Sequence, residues 1–189
     1  MIIFDLDGTL ADCEHRLHFV DYIKVKTSYG SQAIRYHGPN EGNYDPNKTK
    51  MYHEETGDIW KRDWKSFYEA CDQDKPIWPV IEVYEELTIR KSHIQIWSAR
   101  CESVRSKTEE WLKYFVGNSS YSELKMRPIG ENAPDDQLKE RWLNEEVMLG
   151  PFESKTLIDF VFDSDPKSIA MWRRRGIFVF NCCQYDGEF

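Results

Sequence analysis

The chain has 189 residues and a formal net charge of −8. Its length suits one domain with room for a small inserted subdomain. An acidic chain is not built as a general polyanion binder, which argues against tight binding to long nucleic acid. A small phosphorylated substrate is still compatible, because a metal ion and local charges outweigh the net field at a site.

The sequence also carries predictions about compartment. No apolar run approaches the roughly 20 residues needed to span a bilayer. The N-terminal residues lack the basic and long apolar segments of a secretory signal. Five cysteines form no CxxC pair, and their odd number indicates reduced thiols. We therefore expect a cytoplasmic protein with no membrane partner.

Apolar strand patterns alternate with helical patterns along most of the chain. The predicted strands are residues 1–6, 93–97, 121–127, 156–162 and 176–181. The predicted helices are residues 79–90, 102–115, 134–147 and 166–175. This alternation predicts an α/β fold with a parallel sheet covered on both faces.

Residues 13–78 interrupt the alternation. They contain several glycine, proline and asparagine turn signals and many aromatic side chains. A structureless loop of this length is uncommon in a compact domain. The segment is therefore predicted to be an inserted cap with helices near 15–26 and 61–71, and residues 1–12 and 79–189 are predicted to form the core.

Polar side chains follow three of the predicted strands. Asp5 and Asp7 follow the first, Ser98 and Arg100 the second, and an Asp163-Ser164-Asp165 string the fourth. Because ligands of open parallel sheets bind at the carboxyl ends of the strands, we expect these groups to meet at one edge. Clustered carboxylates repel unless a cation neutralises them, and a hard ion with oxygen ligands, Mg²⁺, fits best.

This grouping suits phosphoryl transfer. One carboxylate can attack phosphorus, and a second acid two residues later can protonate the leaving oxygen and then deprotonate water. Hydroxyl and N–H groups can hold the phosphoryl oxygens, and Lys139 is the candidate to balance their charge. Each group alone has an ordinary explanation, as a turn, a helix cap or a solvated lysine, but their joint occurrence at strand ends favours a site.

Four strings resemble the ordered motifs of the haloacid dehalogenase (HAD) superfamily: DLDGTLAD, IWSAR, Lys139 and VFDSD. The resemblance implies a Rossmann-like core, a cap and Mg²⁺. It implies that Asp5 is the nucleophile and Asp7 the general acid and base. The remaining implied roles are metal binding by Asp5, the Asp7 carbonyl and Asp163, and phosphoryl binding by Ser98, Ala99, Arg100 and Lys139.

The C-terminal half resembles, more narrowly, the 3′-phosphatase half of phage polynucleotide kinase-phosphatase. The similar strings are PDDQLKERW and MWRRRGIFVFNCCQYDGEF, together with Arg100. The sequence has no G-x-x-x-x-G-K-[ST] loop for a kinase half. The relatives carry two adjacent acids where this chain has Ser164 between two, so Asp165 is expected to support the metal ligands indirectly. A phage origin, with action in the host cytoplasm, is an expectation of this resemblance.

These patterns predict a Mg²⁺-dependent phosphomonoesterase acting on nucleotides or on 3′-phosphate ends of nucleic acid. The alternatives are a phosphatase of sugars or other small metabolites and a non-catalytic binding module with the same fold. Tyr36, Trp60 or Trp64 of the cap would either stack on a base or form the cap's own small core. Substrate choice is expected to depend on residues 13–78.

Overall fold

The computed structural model describes residues 1–20, 22–27, 30–35, 62–90, 92–117, 120–149 and 158–183, with the backbone alone for 22–27, 30–35 and 147–149. Its contacts divide the chain into two units. The core unit comprises Met1–Cys13 and Asp72–Phe189, and the inserted unit comprises Glu14–Cys71. The inserted unit falls within the segment predicted to be a cap. The role of that segment as a separate cap stays a prediction.

The core unit is built on a five-stranded sheet in which every described pairing is parallel. The strands are β1 (Ile2–Phe4), β6 (Ile94–Cys101), β7 (Glu123–Arg127), β8 (Phe160–Asp163) and β9 (Val179–Asn181). Their order in the sheet is β7-β6-β1-β8-β9. Two further strands of this unit, β2 (Ala11–Asp12) and β5 (Lys75–Pro76), form a short antiparallel pair.

Helices cover the sheet. They are α2 (Trp78–Ile89), α3 (Arg105–Phe115), α4 (Asp135–Leu149) and α5 (Pro166–Arg174). One large buried cluster joins side chains of β1, β6, β8 and β9 to those of α4 and α5, including Trp97, Trp142 and Trp172. Phe4 of β1 packs instead on Tyr84 of α2, with ring centroids 4.9 Å apart. Successive side chains of a strand alternate between faces, so burial on both sides explains why β1 is apolar throughout.

The predicted α/β fold with a parallel sheet is confirmed in the core unit. All five predicted strands and all four predicted helices of this unit are present, with ends that differ by a few residues. A difference that bears on the site is in β6, which continues through Ser98 and Arg100 to Cys101 rather than ending at Trp97. A 3₁₀ turn at Glu102–Val104 then precedes α3.

The inserted unit contains a 3₁₀ helix (Glu14–Phe19), a hairpin of β3 (Tyr22–Thr27) and β4 (Gly30–Arg35), and α1 (Trp64–Glu69). The predicted helix over 15–26 is therefore wrong beyond Phe19. Residues 22–27 read YIKVKT, in which apolar and polar residues alternate and β-branched residues are frequent, and this pattern favours a strand. The helix predicted near 61–71 is present as α1.

Two of the aromatic side chains considered for base stacking, Tyr36 and Trp60, lie outside the described residues. Trp64 is described and is about half exposed, and its ring packs against Phe67 and Tyr68 of the same helix. Within the described part of the chain, no helix has the length and apolar character needed to cross a membrane. The cytoplasmic location stays a prediction.

Candidate active site

The strand register places two carboxylates side by side at the carboxyl end of the sheet. Phe4 of β1 pairs with Phe162 of β8, so the next residues, Asp5 and Asp163, lie at the same level. Phe4 also pairs with Ile96 of β6. Ser98, two residues after Ile96, therefore lies one residue beyond the level of Asp5. The sheet edge thus collects the predicted groups of three adjacent strands.

Lys139 of α4 lies between the two carboxylates. Its Nζ donates to Asp163 Oδ2 at 2.8 Å and lies 3.1 Å from Asp5 Oδ1. All three side chains are almost completely buried. A buried ammonium group requires such partners, because desolvation of an unpaired charge costs several kcal/mol. The lysine predicted from its place in the sequence therefore contacts both strand-end acids.

The charges of this cluster alter its protonation. Burial raises the pKa of Asp5 well above its usual range, and the Asp163 and Asp7 carboxylates raise it further, while Lys139 opposes them. Burial alone would lower the pKa of Lys139, but Asp163 and Asp5 hold that pKa above its ordinary value. The lysine therefore stays charged, whereas Asp5 needs further positive charge nearby to be fully ionised.

The carboxylate of Asp7 has a different partner. Arg100 Nε and Nη2 donate to Asp7 Oδ1 at 2.8 and 2.5 Å. Nη2 of the same arginine also donates to Asp74, and both Arg100 and Asp74 are fully buried. The planar guanidinium group therefore fixes the direction in which the Asp7 carboxylate points.

A glycine allows two strand-end loops to approach each other. Gly8 has a φ of +77°, and its amide donates to Ala11 O at 2.7 Å, which closes a tight turn after Asp7. Ser164 Oγ donates to the main-chain carbonyl of Asp7 at 3.0 Å. A Cβ atom on Gly8 would lie only 2.5 Å from that Oγ atom. Residue 8 therefore cannot be larger without displacing Ser164.

Asp163 is held from several sides. Trp172 Nε1 of α5 donates to Asp163 Oδ2 at 2.9 Å, and the amide of Asp165 donates to Oδ1 at 3.0 Å. The Asp165 carboxylate accepts from the amide of Ser168 at 2.7 Å and so caps α5. Asp165 thus supports Asp163 through its main chain, while its side chain serves the helix.

The residues around Ser98 leave the regular β ladder. Ser98 pairs with Met126, but the next pair joins Cys101 to Arg127, so Ala99 and Arg100 form a bulge. The amide of Arg100 donates to Ser98 Oγ at 3.2 Å. Bulges redirect side chains next to active sites, and this one turns Arg100 toward Asp7.

The donor set fits a hard divalent cation. Asp5 and Asp163 offer carboxylate oxygens, and the Asp7 carbonyl lies beside Ser164, the residue that follows Asp163. These are the oxygen ligands that Mg²⁺ prefers, and a cation here would offset the charges that raise the pKa of Asp5. Among the described residues, no group of three His, Cys, Asp or Glu side chains surrounds one point. Such a site would therefore depend on the main-chain oxygen, since Arg100 holds the Asp7 carboxylate.

The predicted site residues all belong to the core unit. Contacts join Asp5, Lys139 and Asp163 in one group, and Asp7 and Arg100 in another. Four contributors were not predicted from the sequence: Asp74, Ser164 as a donor, Trp172, and Arg127, whose Nε donates to the main-chain carbonyl of Ala99. Arg127 is the last residue of a predicted strand, so the strand-end argument itself would have found it. Asp74 gave no such signal, because it lies in the irregular segment assigned to the cap.

The sequence profile described as the polynucleotide kinase PNKP phosphatase domain matches residues 57–189. No curated protein sequence matches the chain significantly. Among solved structures, chains of the Pnkp1/Rnl/Hen1 complex and of the Pnkp1/Rnl/Hen1 RNA repair complex superpose with TM-scores of 0.59 and 0.58, each at 20% identity. Each match covers 96% of this chain but only 45% and 41% of those chains.

A haloacid dehalogenase-like family hydrolase from Streptococcus pneumoniae also superposes, with a TM-score of 0.54 and 17% identity over 95% of this chain and 82% of that one. At these identities the structural likeness shows the fold alone. The profile match covers more than half of the chain and includes IWSAR, Lys139 and VFDSD, whereas DLDGTLAD lies before the matched residues. The chain therefore belongs to the HAD superfamily, in the family of polynucleotide kinase PNKP phosphatase domains.

Proposed function

We propose that the chain is a Mg²⁺-dependent phosphomonoesterase that acts through an aspartyl-phosphate on Asp5. The observation that carries the proposal is the buried contact of Lys139 with both Asp5 and Asp163, beside the Arg100-held carboxylate of Asp7. A binding module without chemistry has no need of this costly set of buried charges. Family membership supports the phosphatase activity independently.

The reaction has two steps. In the first, an Asp5 carboxylate oxygen bonds to phosphorus, the ester P–O bond breaks, and Asp7 gives its proton to the leaving oxygen. In the second, Asp7 takes a proton from water, the water oxygen bonds to phosphorus, and the Asp5–phosphorus bond breaks. Inorganic phosphate leaves, and both carboxyl groups return to their starting state.

The other residues bind and orient. Lys139 balances the negative charge of the phosphoryl oxygens, and Ser98 binds these oxygens at the sheet edge. Asp5, Asp163 and the Asp7 carbonyl would hold Mg²⁺, which would supply positive charge next to Asp5 and the phosphoryl group. Asp165 supports Asp163 through its amide.

The contacts of Arg100 support a different role from the phosphate binding predicted for it. Its guanidinium group is fully buried and bonded to Asp7 and Asp74. We therefore propose that it orients the general acid rather than binding phosphate with its side chain. The amides of the 98–100 segment remain candidates for phosphate binding.

For the substrate, we propose a 3′-phosphate end of nucleic acid. Mononucleotides would be smaller substrates that carry the same phosphomonoester group. Membership of the PNKP phosphatase-domain family supports this class. The net charge of −8 favours recognition of a short end over binding along a polyanion. Sugar phosphates are the competing class.

A substrate panel tests the proposal. The panel comprises 3′- and 5′-mononucleotides, 3′-phosphorylated oligonucleotides and sugar phosphates, each assayed with Mg²⁺ and with excess chelator. We expect release of phosphate from the 3′-phosphorylated substrates that depends on Mg²⁺. A preference for sugar phosphates would refute the substrate class, and full activity in chelator would refute the role of the metal.

Two variants accompany the panel. Asp5→Asn is expected to lower turnover by at least about 1000-fold, because an amide is not a nucleophile and a triad-like group acts as a unit. Asp159→Asn changes an exposed aspartate that pairs with the N-terminal amine of Met1, and it should leave turnover unchanged. Wild-type turnover in Asp5→Asn would show that another residue attacks phosphorus.

A further inference from the structure

Arg127 is a buried charged residue to which the proposed reaction gives no role. It is the last residue of β7 and is only 6% exposed. Each of its three guanidinium nitrogens donates to a different acceptor. Nε donates to Ala99 O at 2.9 Å, Nη1 to Ala133 O at 2.6 Å, and Nη2 to Asp135 Oδ1 at 2.5 Å.

The first acceptor lies in the bulge of β6. Ala99 stands between Ser98 and Arg100, in the stretch that leaves the ladder between β6 and β7. Arg127 supplies a side-chain donor at this point, so its Nε fixes the conformation of the 98–100 segment.

The other two acceptors define the start of α4. Ala133 lies just before this helix, and Asp135 is its first residue. Lys139 follows Asp135 by four residues, so both lie on the same face of the helix, one turn apart. A bond that holds Asp135 in place therefore also fixes the position of Lys139 around and along the axis of α4.

We propose that Arg127 is a positioning residue that holds the 98–100 segment and the first turn of α4 in register, so that Ser98 and Lys139 bind the same phosphoryl group. This inference rests on the proposed function of Ser98 and Lys139. An arginine suits the task because its planar guanidinium group donates to three acceptors in fixed directions. The ammonium group of a lysine has no such fixed geometry. Arg127 itself does not contact the substrate.

The test compares Arg127→Lys with a matched control, Arg141→Lys. Arg141 lies on α4 and, like Arg127, bonds to an acidic residue, donating to Glu131 Oε2 at 2.5 Å. It is exposed, and in the described structure it contacts the 128–134 loop and not Ala99. Turnover of p-nitrophenyl phosphate and inhibition by inorganic phosphate are measured for both variants. Arg127→Lys should weaken inhibition by phosphate about 10-fold or more and lower kcat/KM about 100-fold, because small misplacements of catalytic groups are costly.

A second measurement does not require activity. Amide hydrogen exchange of residues 98–101 and 135–139 should accelerate in Arg127→Lys and in Arg127→Gln, and not in Arg141→Lys. If Arg127 has only a structural role, Arg127→Lys should instead lose thermal stability while its affinity for phosphate stays unchanged. Phosphate inhibition and exchange rates equal to those of Arg141→Lys would overturn the inference.

The two proposals can fail separately. If the wild-type protein hydrolyses no phosphomonoester and binds no inorganic phosphate, the proposed function fails. In that case the exchange measurement still decides whether Arg127 couples the two segments. If the wild-type enzyme is active and Arg127→Lys keeps its phosphate affinity, only the role of Arg127 is wrong.

Discussion

The core unit and the inserted unit bury arginine in different settings. In the core unit, Arg100 lies between the carboxylates of Asp7 and Asp74. In the inserted unit, Arg16 donates to the carbonyl of Phe67 at 3.2 Å and lies 4.2 Å above the ring of the same residue. The first arrangement fixes the direction of the carboxylate proposed as the general acid, whereas the second ties the 3₁₀ helix to α1. The two carboxylate partners of Arg100 therefore indicate where a buried arginine orients a group that is proposed to react.

The largest effect is expected from Lys139→Met. Removing one partner of a buried ion pair leaves Asp5 and Asp163 uncompensated, which costs about 3 kcal/mol of unfolding free energy. Turnover should fall by about 100-fold or more, because the phosphoryl charge also loses its partner. Denaturant unfolding and turnover of p-nitrophenyl phosphate measure both effects.

Lys125→Met is the control for that change. Lys125 also forms an ion pair, with Glu146 at 2.5 Å, and its Nζ lies 4.8 Å from the ring centre of Trp97. It has no contact with the strand-end acids in the described structure, so turnover should be unchanged. Equal losses of turnover in the two variants would show that Lys139 acts only through stability.

Asp74→Ala should have the next largest effect. Without Asp74, Arg100 keeps Asp7 but loses a fully buried acceptor, at a cost of about 2–3 kcal/mol. Because the Asp7 carboxylate is then less firmly oriented, kcat should fall about 10-fold with little change in KM. Asp72→Ala removes an exposed carboxylate 3.9 Å from Lys107 and should change neither quantity. A wild-type kcat in Asp74→Ala would contradict the proposed orientation of Asp7.

The smallest effects concern helix caps, which occur in both units. Asp165 caps α5 of the core unit, and Asp63 caps α1 of the inserted unit, each by accepting the amide of a serine three residues later. Asp165→Ala should lower the unfolding free energy of the core unit by about 1 kcal/mol. Asp63→Ala should speed hydrogen exchange in α1 and leave unfolding of the sheet unchanged. If Asp63→Ala also destabilised the sheet, the effect of the α1 cap would not be confined to the inserted unit.

The cap of α1 also has a defined pH dependence. Hydrogen bonds from Ser66 lower the pKa of Asp63 below its ordinary value of about 3.9. A lowered pKa means that the carboxylate stabilises the helix above that ordinary value and that this contribution disappears as the pH falls through the lowered pKa. The protection of the α1 amides, relative to their intrinsic exchange rates at each pH, should therefore fall below about pH 4 in the wild-type protein and not in Asp63→Ala.

The sequence predicted the core unit well, because two simple rules act there. Fully apolar segments such as residues 2–4 become buried parallel strands, and the polar residues that follow them meet at one edge. Asp5 and Asp163 were predicted in this way, and Lys139 was predicted from the helix that leads into the strand ending at Asp163. The catalytic roles of all three stay predictions. Asp74 was not, because its role depends on a turn whose path no local pattern specifies.

In the inserted unit the sequence was less informative. The segment 15–26 was predicted to be helical, but residues 22–27 pair with β4. A hairpin of this kind is decided by cross-strand pairing, which a helical reading of one segment does not consider. The sequence also predicts that substrate choice depends on residues 13–78, and this dependence stays a prediction.

The central claim is that Asp5 becomes phosphorylated during turnover. Asp7→Asn removes the group that activates water, so a good leaving group such as p-nitrophenolate should depart while the phosphorylated enzyme accumulates. Acid quenching followed by peptide mass spectrometry should then locate one phosphoryl group on Asp5. Release of p-nitrophenol without any adduct, or with an adduct on another residue, would contradict the account.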